Sequence, residues 1–354
     1  MTVDRQGQGG RAVGAPMLLN IASHNVRGFN PIYGRSKIYD LLELWNSMKT
    51  SIVCIQETHL TIDRDILLDG ILTKEGWVAY RCCYHSASKG TMILIRQHLL
   101  DSRVVEVSQT FATPENGRVM AIHCTWGGQH LVIANLYLPN KAGEQIEFMR
   151  EYIPKLKSFA GSVPIIYAAD WNFVIDPPLD RFHRRVVDGI RKLVPASERS
   201  TRAGSFWKRA GKGTSDIWRY HRGPKRHMTR FDNWGGARLD RFHVDNKLLP
   251  YSLAPVVKYG PGCLLSDHSR VVLALQARTE IEAPPRSTAR LRTKFLEDQG
   301  CKEDFGAWLE REERNMPAKT SDIIPWWQRF TKHMRAKVHY LNRQAGQQHT
   351  LRTL

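Results

Sequence analysis

No stretch of the 354-residue chain approaches the roughly 18 consecutive apolar residues that a membrane-crossing helix needs, so nothing suggests a helical membrane protein. The start of the chain is equally unlike a secretory signal. Residues 1–16 are polar, carry Gly7, Gly9, Gly10 and Gly14, show no apolar run ahead of a small-residue cleavage site, and read as a disordered leader. Cysteine is scarce too. The six (Cys54, Cys82, Cys83, Cys124, Cys263, Cys301) are scattered, with no C-x-x-C and no histidine pair at zinc spacing. They are expected to be reduced, mostly buried thiols, which with the missing signal points to a nuclear or cytoplasmic protein that is not secreted and has no membrane partner. Acidic residues are also under-represented. Against 52 Lys and Arg there are 34 Asp and Glu, a formal charge of +18 that calls for an anionic partner, most simply nucleic acid.

What is present is a 42% hydrophobic composition with the texture of a globular α/β protein. Short apolar runs at 18–23, 51–56, 92–96, 118–124, 131–137, 164–169, 239–244 and 270–275 read as buried strands. Between them, Ile38, Leu41, Leu42, Trp45 and Met48 recur at helical spacing after Ser36 as N-cap. A second stripe, Ile146, Met149, Ile153 and Leu156, contains Pro154, which is expected to kink or shift that helix. The tight interval from Cys124 to Leu131 through Gly127 and Gly128 predicts an antiparallel hairpin, so a mixed α/β sandwich fits better than a purely parallel sheet. Residues 181–230 stand apart, with 15 Lys or Arg and three acids (Asp188, Glu198, Asp216), or +12. Trp207, Trp218 and Tyr220 are interleaved there, a composition suited to phosphate contacts and base stacking, or else to a solvated loop with both tryptophans in the core. After Leu275, the run Ala283-Pro284-Pro285-Arg286-Ser287 reads as a linker, followed by charged helices over 295–314 and 322–343. The expected organisation is a leader over 1–16, a catalytic domain over 17–277, a linker over 278–290 and a helical segment over 291–354.

The chemistry lies in polar residues at strand ends. Asn25 follows the first strand. Glu57 follows a nearly continuous apolar run, where a carboxylate is costly to bury unless it meets a cation or a donor, so it reads as a metal ligand or one half of a structural salt bridge. Tyr137 ends another strand and by itself reads as a core tyrosine. Asp170 and Asn172 follow the run 163–169; in an extended chain their spacing puts them on one side, where an Asn amide could fix an Asp that activates water, and an Asx turn is the alternative. Asp240 and the run Ser266-Asp267-His268 offer a histidine with two acids at hand, able to hold one tautomer and stay protonated against a developing phosphate charge.

Taken in order, Asn25, the box Gln56-Glu57-Thr58-His59, Tyr137, Asp170-x-Asn172, Arg238-Leu239-Asp240 and Ser266-Asp267-His268 resemble the endonuclease/exonuclease/phosphatase family over residues 17 to 277. The resemblance implies a four-layer α/β sandwich. His24-Asn25-Val26-Arg27-Gly28, Asp180-Arg181 and Ser215-Asp216-Ile217-Trp218-Arg219 are similar to the endonuclease domain of non-LTR retrotransposons. That relation implies DNA as substrate, with retroelement RNA or a reverse transcriptase domain of a longer polyprotein as further partners. It also makes this chain a fragment or separate endonuclease portion with no polymerase activity of its own.

By the same resemblance, Glu57 with Asp267 and Asn25 would bind Mg2+ or Mn2+. Asp170, oriented by Asn172, would move a proton at the water or the leaving group. His268 paired with Asp240 would hold the phosphate's developing charge, and Tyr137 would add a hydrogen bond or phenolate contact. Two alternatives stand beside a DNA-nicking enzyme: an AP endonuclease-like repair nuclease, and a non-catalytic nucleic-acid-binding remnant. AP endonucleases commonly carry a Trp where this chain has Ala237, which weighs against the first; the intact acidic and histidine positions weigh against the second.

Overall fold

The computed structural model describes residues 17–29, 37–60, 62–82, 89–187, 190–196, 201–232, 235–258, 265–277 and 294–317, with part of 326–341. They fall into two compact units, Met1–Ile281 and Glu282–Leu354. The leader, the Ser36 cap, Cys83, Cys263 and the linker lie outside the described residues.

Two six-stranded sheets make the centre of the first unit. One contains β1 (Leu18–Asn25), β2 (Ile52–Gln56), β3 (Trp77–Cys82), β4 (Thr91–Arg96), β15 (Val256–Lys258) and β16 (Arg270–Gln276), in the order β15-β16-β1-β2-β4-β3. The other contains β5 (Val105–Ala112), β6 (Val119–Trp126), β7 (Gln129–Tyr137), β8 (Ile165–Asp170), β11 (Thr214–Asp216) and β14 (Asp240–Asp245), in the order β11-β14-β8-β7-β6-β5. A four-stranded sheet, β10-β9-β13-β12, joins β9 (Arg181–Val187), β10 (Ile190–Pro195), β12 (Arg230–Asp232) and β13 (Gly235–Ala237). The helices are α1 (Lys37–Ser47), α2 (Ile62–Lys74), α3 (Gln97–Asp101), α4 (Ala142–Ala160), α5 (Pro177–Asp180), α6 (Arg202–Ala210), α7 (Ile217–Arg222) and, in the second unit, α8 (Gln299–Arg314).

Strand alternation sorts the side chains into four layers. Ile52 and Cys54 face the other sheet, meeting Ile122, Cys124, Ile133, Ile166 and Phe242 in a shared core. Val53 and Ile55 face outward and are covered by Leu41, Leu42 and Trp45 of α1 with Leu68 and Leu72 of α2. On the far side, Val132, Ala134, Tyr167 and Ala169 are covered by Met149, Ile153 and Leu156 of α4 and Trp207 of α6. The four-layer sandwich is therefore present, and each expected strand forms. Trp207, one of the three aromatic residues interleaved with the basic segment, belongs to this core: it is buried, donates to His243 Nδ1 at 3.2 Å and packs on Trp171. The Gly127-Gly128 hairpin also forms, because both residues take positive φ, the geometry a two-residue turn between twisted strands requires.

Each large sheet holds one parallel pair, β1 with β2 and β7 with β8. A parallel pair needs a crossover, and α1 and α4 supply them. The expected kink is absent, since α4 runs through Pro154 unbroken. Pro154 is on the exposed face, where the carbonyl of Arg150 that loses its partner can meet water. Among the described residues, no helix is long and apolar enough to cross a membrane.

In the second unit, Phe295 opens a 3-10 turn, and α8 starts at Gln299 because Asp298 caps it, accepting from the Cys301 amide at 2.9 Å. Phe295, Cys301, Val338 and Leu341 form its small core.

Candidate active site

The topology brings the C-terminal ends of both parallel pairs to one rim. Asn25 ends β1, Glu57 follows β2, Tyr137 ends β7 and Asp170 ends β8. The β14–β8 register sets Asp240 opposite Asp170, and His268 stands two residues before β16, the antiparallel neighbour of β1. Residues up to 243 positions apart in sequence, Asn25 and His268, thus share one cluster.

Asn25 is the bridge. Its fully buried amide nitrogen donates to Glu57 Oε1 at 2.7 Å and to Asp170 Oδ2 at 2.8 Å. His268 Nδ1 lies 2.9 Å from Asp240 Oδ2, and its Nε2 lies 4.0 Å from Asp170 Oδ2. Thr229 fixes Asp240 from behind, its hydroxyl oxygen accepting from the amides of Leu239 and Asp240, both at 2.9 Å. Ser266 ties the His268 loop to β1 by donating to the Asn25 carbonyl at 2.7 Å and accepting from the His268 amide at 3.1 Å.

Two expectations change on these contacts. Asn172 has φ +50°, so it is not in an extended chain with Asp170. Its side-chain amide donates to the Leu138 carbonyl at 2.8 Å, and only its backbone amide reaches Asp170 Oδ1, at 3.0 Å. The Asx turn and the site are the same feature, and Asp170 is oriented by that turn and by Asn25. Asn25 in turn is not disposed as a metal ligand, because its NH2 faces the carboxylates while its Oδ1 accepts from the Arg27 amide at 3.0 Å.

The ionisation pattern separates an acid from a base. Burial would lower the pKa of His268, but the charges of Asp240 and then Asp170 override it and raise it to about 9, so the ring is an imidazolium at neutral pH. Burial, moderated by His268, raises Asp170 to about 6, leaving it ionised but basic enough to take a proton. Burial would also raise Glu57, yet hydrogen bonds from His59, Asn25 and Tyr137 hold it at about 2. Tyr137 is pushed up by burial and by Glu57 and Asp170, so it is a phenol and not the phenolate considered above; Arg118 lies 4.7 Å from its ring centroid.

Several contributors were not singled out from the sequence. His59, inside the Glu57 box, reaches Glu57 Oε2 at 3.3 Å. Gln56 crosses between the sheets to Asn135 Oδ1 at 2.7 Å, and Asn135 donates to the Ile55 carbonyl at 2.8 Å. Buried Lys37 donates to the Val26 carbonyl, and burial brings its pKa down to about 8. The rim is also conformationally loaded, with Arg27, Glu57, His59, Lys89 and Asn172 at positive φ without being glycine. Gly90 sits against this loop at φ +87°, and a Cβ there would collide with Thr58 Oγ1. Gly90→Ala is therefore expected to destabilise the protein by roughly 1–3 kcal/mol, read as a lower midpoint of thermal unfolding.

Behind Asp240 lies a buried ion network. Arg238 Nε donates to Asp180 Oδ1 at 2.7 Å, its NH2 to Asp216 Oδ2 at 2.6 Å, and Arg219 also pairs with Asp180. Asp180, Asp216 and Arg219, each noted above as part of a short motif, thus converge on the residue two before Asp240. The basic 181–230 segment supplies β9, β10, α6, β11 and α7 around this network. Trp218 is half-buried, stacked on His227, with Nε1 on the Lys225 carbonyl at 3.0 Å; Tyr220 is exposed. A cavity of about 320 Å³ opens beside Asn172 and Leu239, lined also by Asn140, Arg181, Phe182 and Arg230.

The donor set suits a hard divalent cation. Glu57 is ionised, and Asp267 Oδ1 is buried without a hydrogen-bond partner, although the Asp267 carboxylate faces Arg230 at 3.1 Å and Arg27 at 3.4 Å. Asp170, Asp240 and His268 also lie close enough together to hold an ion. In that trio His268 Nδ1 is engaged by Asp240, which leaves Nε2 as the ring's open nitrogen.

The sequence model of the Endonuclease/Exonuclease/phosphatase family matches residues 22–268. A comparison with curated proteins finds no match. Among solved structures, the chain is similar to AP endonuclease LMAP from Leishmania major (TM-score 0.55, 16% identity, 74% of this chain and 88% of that one). It is similar also to an AP endonuclease from Archaeoglobus fulgidus (TM-score 0.55, 16% identity, 73% and 99%). A third is the 3′ phosphatase NExo from Neisseria bound to product DNA hairpin (TM-score 0.54, 15% identity, 72% and 98%).

Proposed function

We propose that this chain, which belongs to the endonuclease/exonuclease/phosphatase family, is a divalent-metal-dependent DNA endonuclease that nicks one strand of a duplex. The observation that carries the proposal is the Asp170–His268–Asp240 cluster beside ionised Glu57, an acid and a base held within hydrogen-bonding range of one rim.

Phosphodiester hydrolysis needs an attacking water in line, stabilisation of the phosphate's charge and protonation of the leaving alkoxide. Asp170 takes the proton from the water, and its acceptance of two hydrogen bonds keeps it aimed; the P–O bond to the departing sugar oxygen breaks as the new one forms, and that alkoxide takes its proton from solvent water. His268, held charged by Asp240, donates through Nε2 to a phosphate oxygen, while the Tyr137 phenol adds a second donor. Glu57 and Asp267 would hold Mg2+ or Mn2+, which when bound supplies Lewis-acid stabilisation of the phosphate. Arg and Lys of the 181–230 segment bind the duplex backbone, setting affinity and position. A 3′-hydroxyl left at such a nick can prime reverse transcription, which is how the likeness to retrotransposon endonucleases would be used, with RNA and a polymerase domain as partners inside the cell.

Purified protein is expected to relax supercoiled plasmid in the presence of Mg2+ and to lose that activity on addition of EDTA. Relaxation undiminished by EDTA would exclude the metal-dependent reading, and DNA binding without cleavage under any divalent ion would leave a binding remnant. One observation favours a second reading, a repair-type AP endonuclease: Phe182 lines the cavity beside Asn172, putting an aromatic wall where Ala237 leaves none. Faster cleavage of a duplex carrying one abasic analogue than of intact DNA would favour it.

A further inference from the structure

On the outer helical layer, a groove of about 430 Å³ lies between α4 and α6, lined by Ile146, Arg150, Thr201, Arg202, Phe206 and Arg209. Its floor is half-buried and apolar, and all three arginines are exposed at its edge. Arg150 and Arg209 both lie over the Phe206 ring, at 5.9 and 6.0 Å from its centroid. Among the described residues none of the three arginines forms an ion pair; Glu151, the nearby acid of α4, pairs with Lys155 at 2.9 Å. Glu147 is exposed one turn before Arg150 on α4, but none of the residues that line the groove is acidic. Three guanidinium groups facing one groove repel one another, an arrangement that is stable where a polyanion answers it.

The groove also adjoins the rim. Gln145, the neighbour of Ile146, donates to the Asn172 carbonyl at 2.9 Å, and Thr201, the cap of α6, donates to the Val174 carbonyl at 2.7 Å. Arg150 stands eight residues along α4 from its first residue, about 12 Å from the rim end of the helix at 1.5 Å per residue. At about 3.4 Å per nucleotide along one strand of a duplex, that interval spans about three to four phosphates, so a backbone leaving the active site over Asn172 can reach the groove.

We propose that the Arg150–Arg202–Arg209 groove is a second phosphate-binding track that holds the DNA backbone flanking the cleaved bond. Guanidinium forks match phosphate oxygens bidentately, and the Phe206 ring keeps two of them in place by cation–π contact. The inference rests on DNA being the substrate, but its test does not need cleavage.

The test measures affinity of the full chain for a 30-base-pair duplex in EDTA, as a function of salt concentration. Arg150→Ser/Arg202→Ser/Arg209→Ser is expected to lower the slope of log affinity against log salt by about 3, since each phosphate contact contributes about 0.9. The corresponding triple Arg→Lys variant is expected to restore most of the slope. A control that removes the same net charge elsewhere, Lys49→Ser/Lys74→Ser/Arg103→Ser, is expected to leave it unchanged. An unchanged slope in the groove variant, or an equal loss in the control, overturns the proposal. Absence of metal-dependent cleavage in the parent would overturn the nuclease reading and leave this measurement standing.

Discussion

Substituting His268 by alanine is expected to cut metal-dependent plasmid nicking by about 10³-fold or more, with Asp170→Asn comparably severe. The two effects have different origins. Without His268 the developing charge on the phosphate loses the buried cationic donor that Asp240 holds in place. Asp170→Asn keeps the shape and can still accept from the Asn172 amide, but it removes the base. Because the two groups act on one transition state, the double variant should be little worse than either alone. Asp240→Asn should be milder, about 10²-fold, since the imidazole stays in place and loses the partner that keeps it charged. Quantitative nicking assays, with circular dichroism to verify folding, check all four. Parent-level cutting by either single variant would mean that the chemistry is elsewhere.

The largest effect on stability is expected at Arg238. Removing one member of a buried ion network leaves uncompensated charge, here on Asp216 above all, since Asp180 keeps Arg219, at a cost of about 3–5 kcal/mol. For a domain of this size, that lowers the unfolding midpoint by roughly 10 °C. Arg238→Leu should therefore unfold early, whereas Arg238→Met with Asp180→Asn and Asp216→Asn should recover part of the loss. The two carboxylates are then no longer charged, the asparagine at position 216 can still cap α7, and Arg241 keeps its bonds to the carbonyls of Phe173 and position 238. The same network predicts the acid response. Burial would raise both carboxyls, but Arg238 overrides it and holds each below its ordinary value. Their contribution is fully present above the unfolded pKa of about 4 and is lost as pH falls through the folded values. Thermal unfolding between pH 5 and 2 should fall more steeply for the parent than for Asp216→Asn, and parallel curves would remove the network from the acid response.

Much of the architecture was legible because burial and periodicity coincide in the central strands. Met92–Arg96, Leu131–Tyr137 and Ile165–Asp170 are apolar on both faces, as strands between a sheet and a helix must be. The edge strands were missed for the complementary reason. β5, at the edge of its sheet, is half in water and mixes Glu106, Ser108 and Gln109 with its apolar positions, while edge strand β10 and its neighbour β9 interleave Arg181, Arg184, Arg185, Arg191 and Lys192 with apolar residues. Helix ends followed local chemistry, so Asp298 moved the start of α8, and Pro154 passed through α4 because its missing donor faces solvent.

At the site, strand-end placement identified Asn25, Glu57, Tyr137, Asp170, Asp240 and His268, and the fold gathers them at one rim. Their partners were less accessible. Nothing local says that Asn25 donates to two carboxylates, that Asn172 turns its side chain to Leu138, or that Asp180 and Asp216 meet on Arg238. Such contacts join strands that are neighbours only through sheet order and face-to-face packing.

The sequence by itself therefore determined the layered α/β class, the excess positive charge and the residue types available for phosphate chemistry, because hydrophobic alternation and net charge are local or additive. Only the tertiary structure brought Asp170, Asp240 and His268 together, decided which tryptophan is core, and set Arg150, Arg202 and Arg209 around one groove. Those outcomes depend on burial and on charges a few ångströms apart, and both are set by the packing of two sheets whose strands lie far apart along the chain.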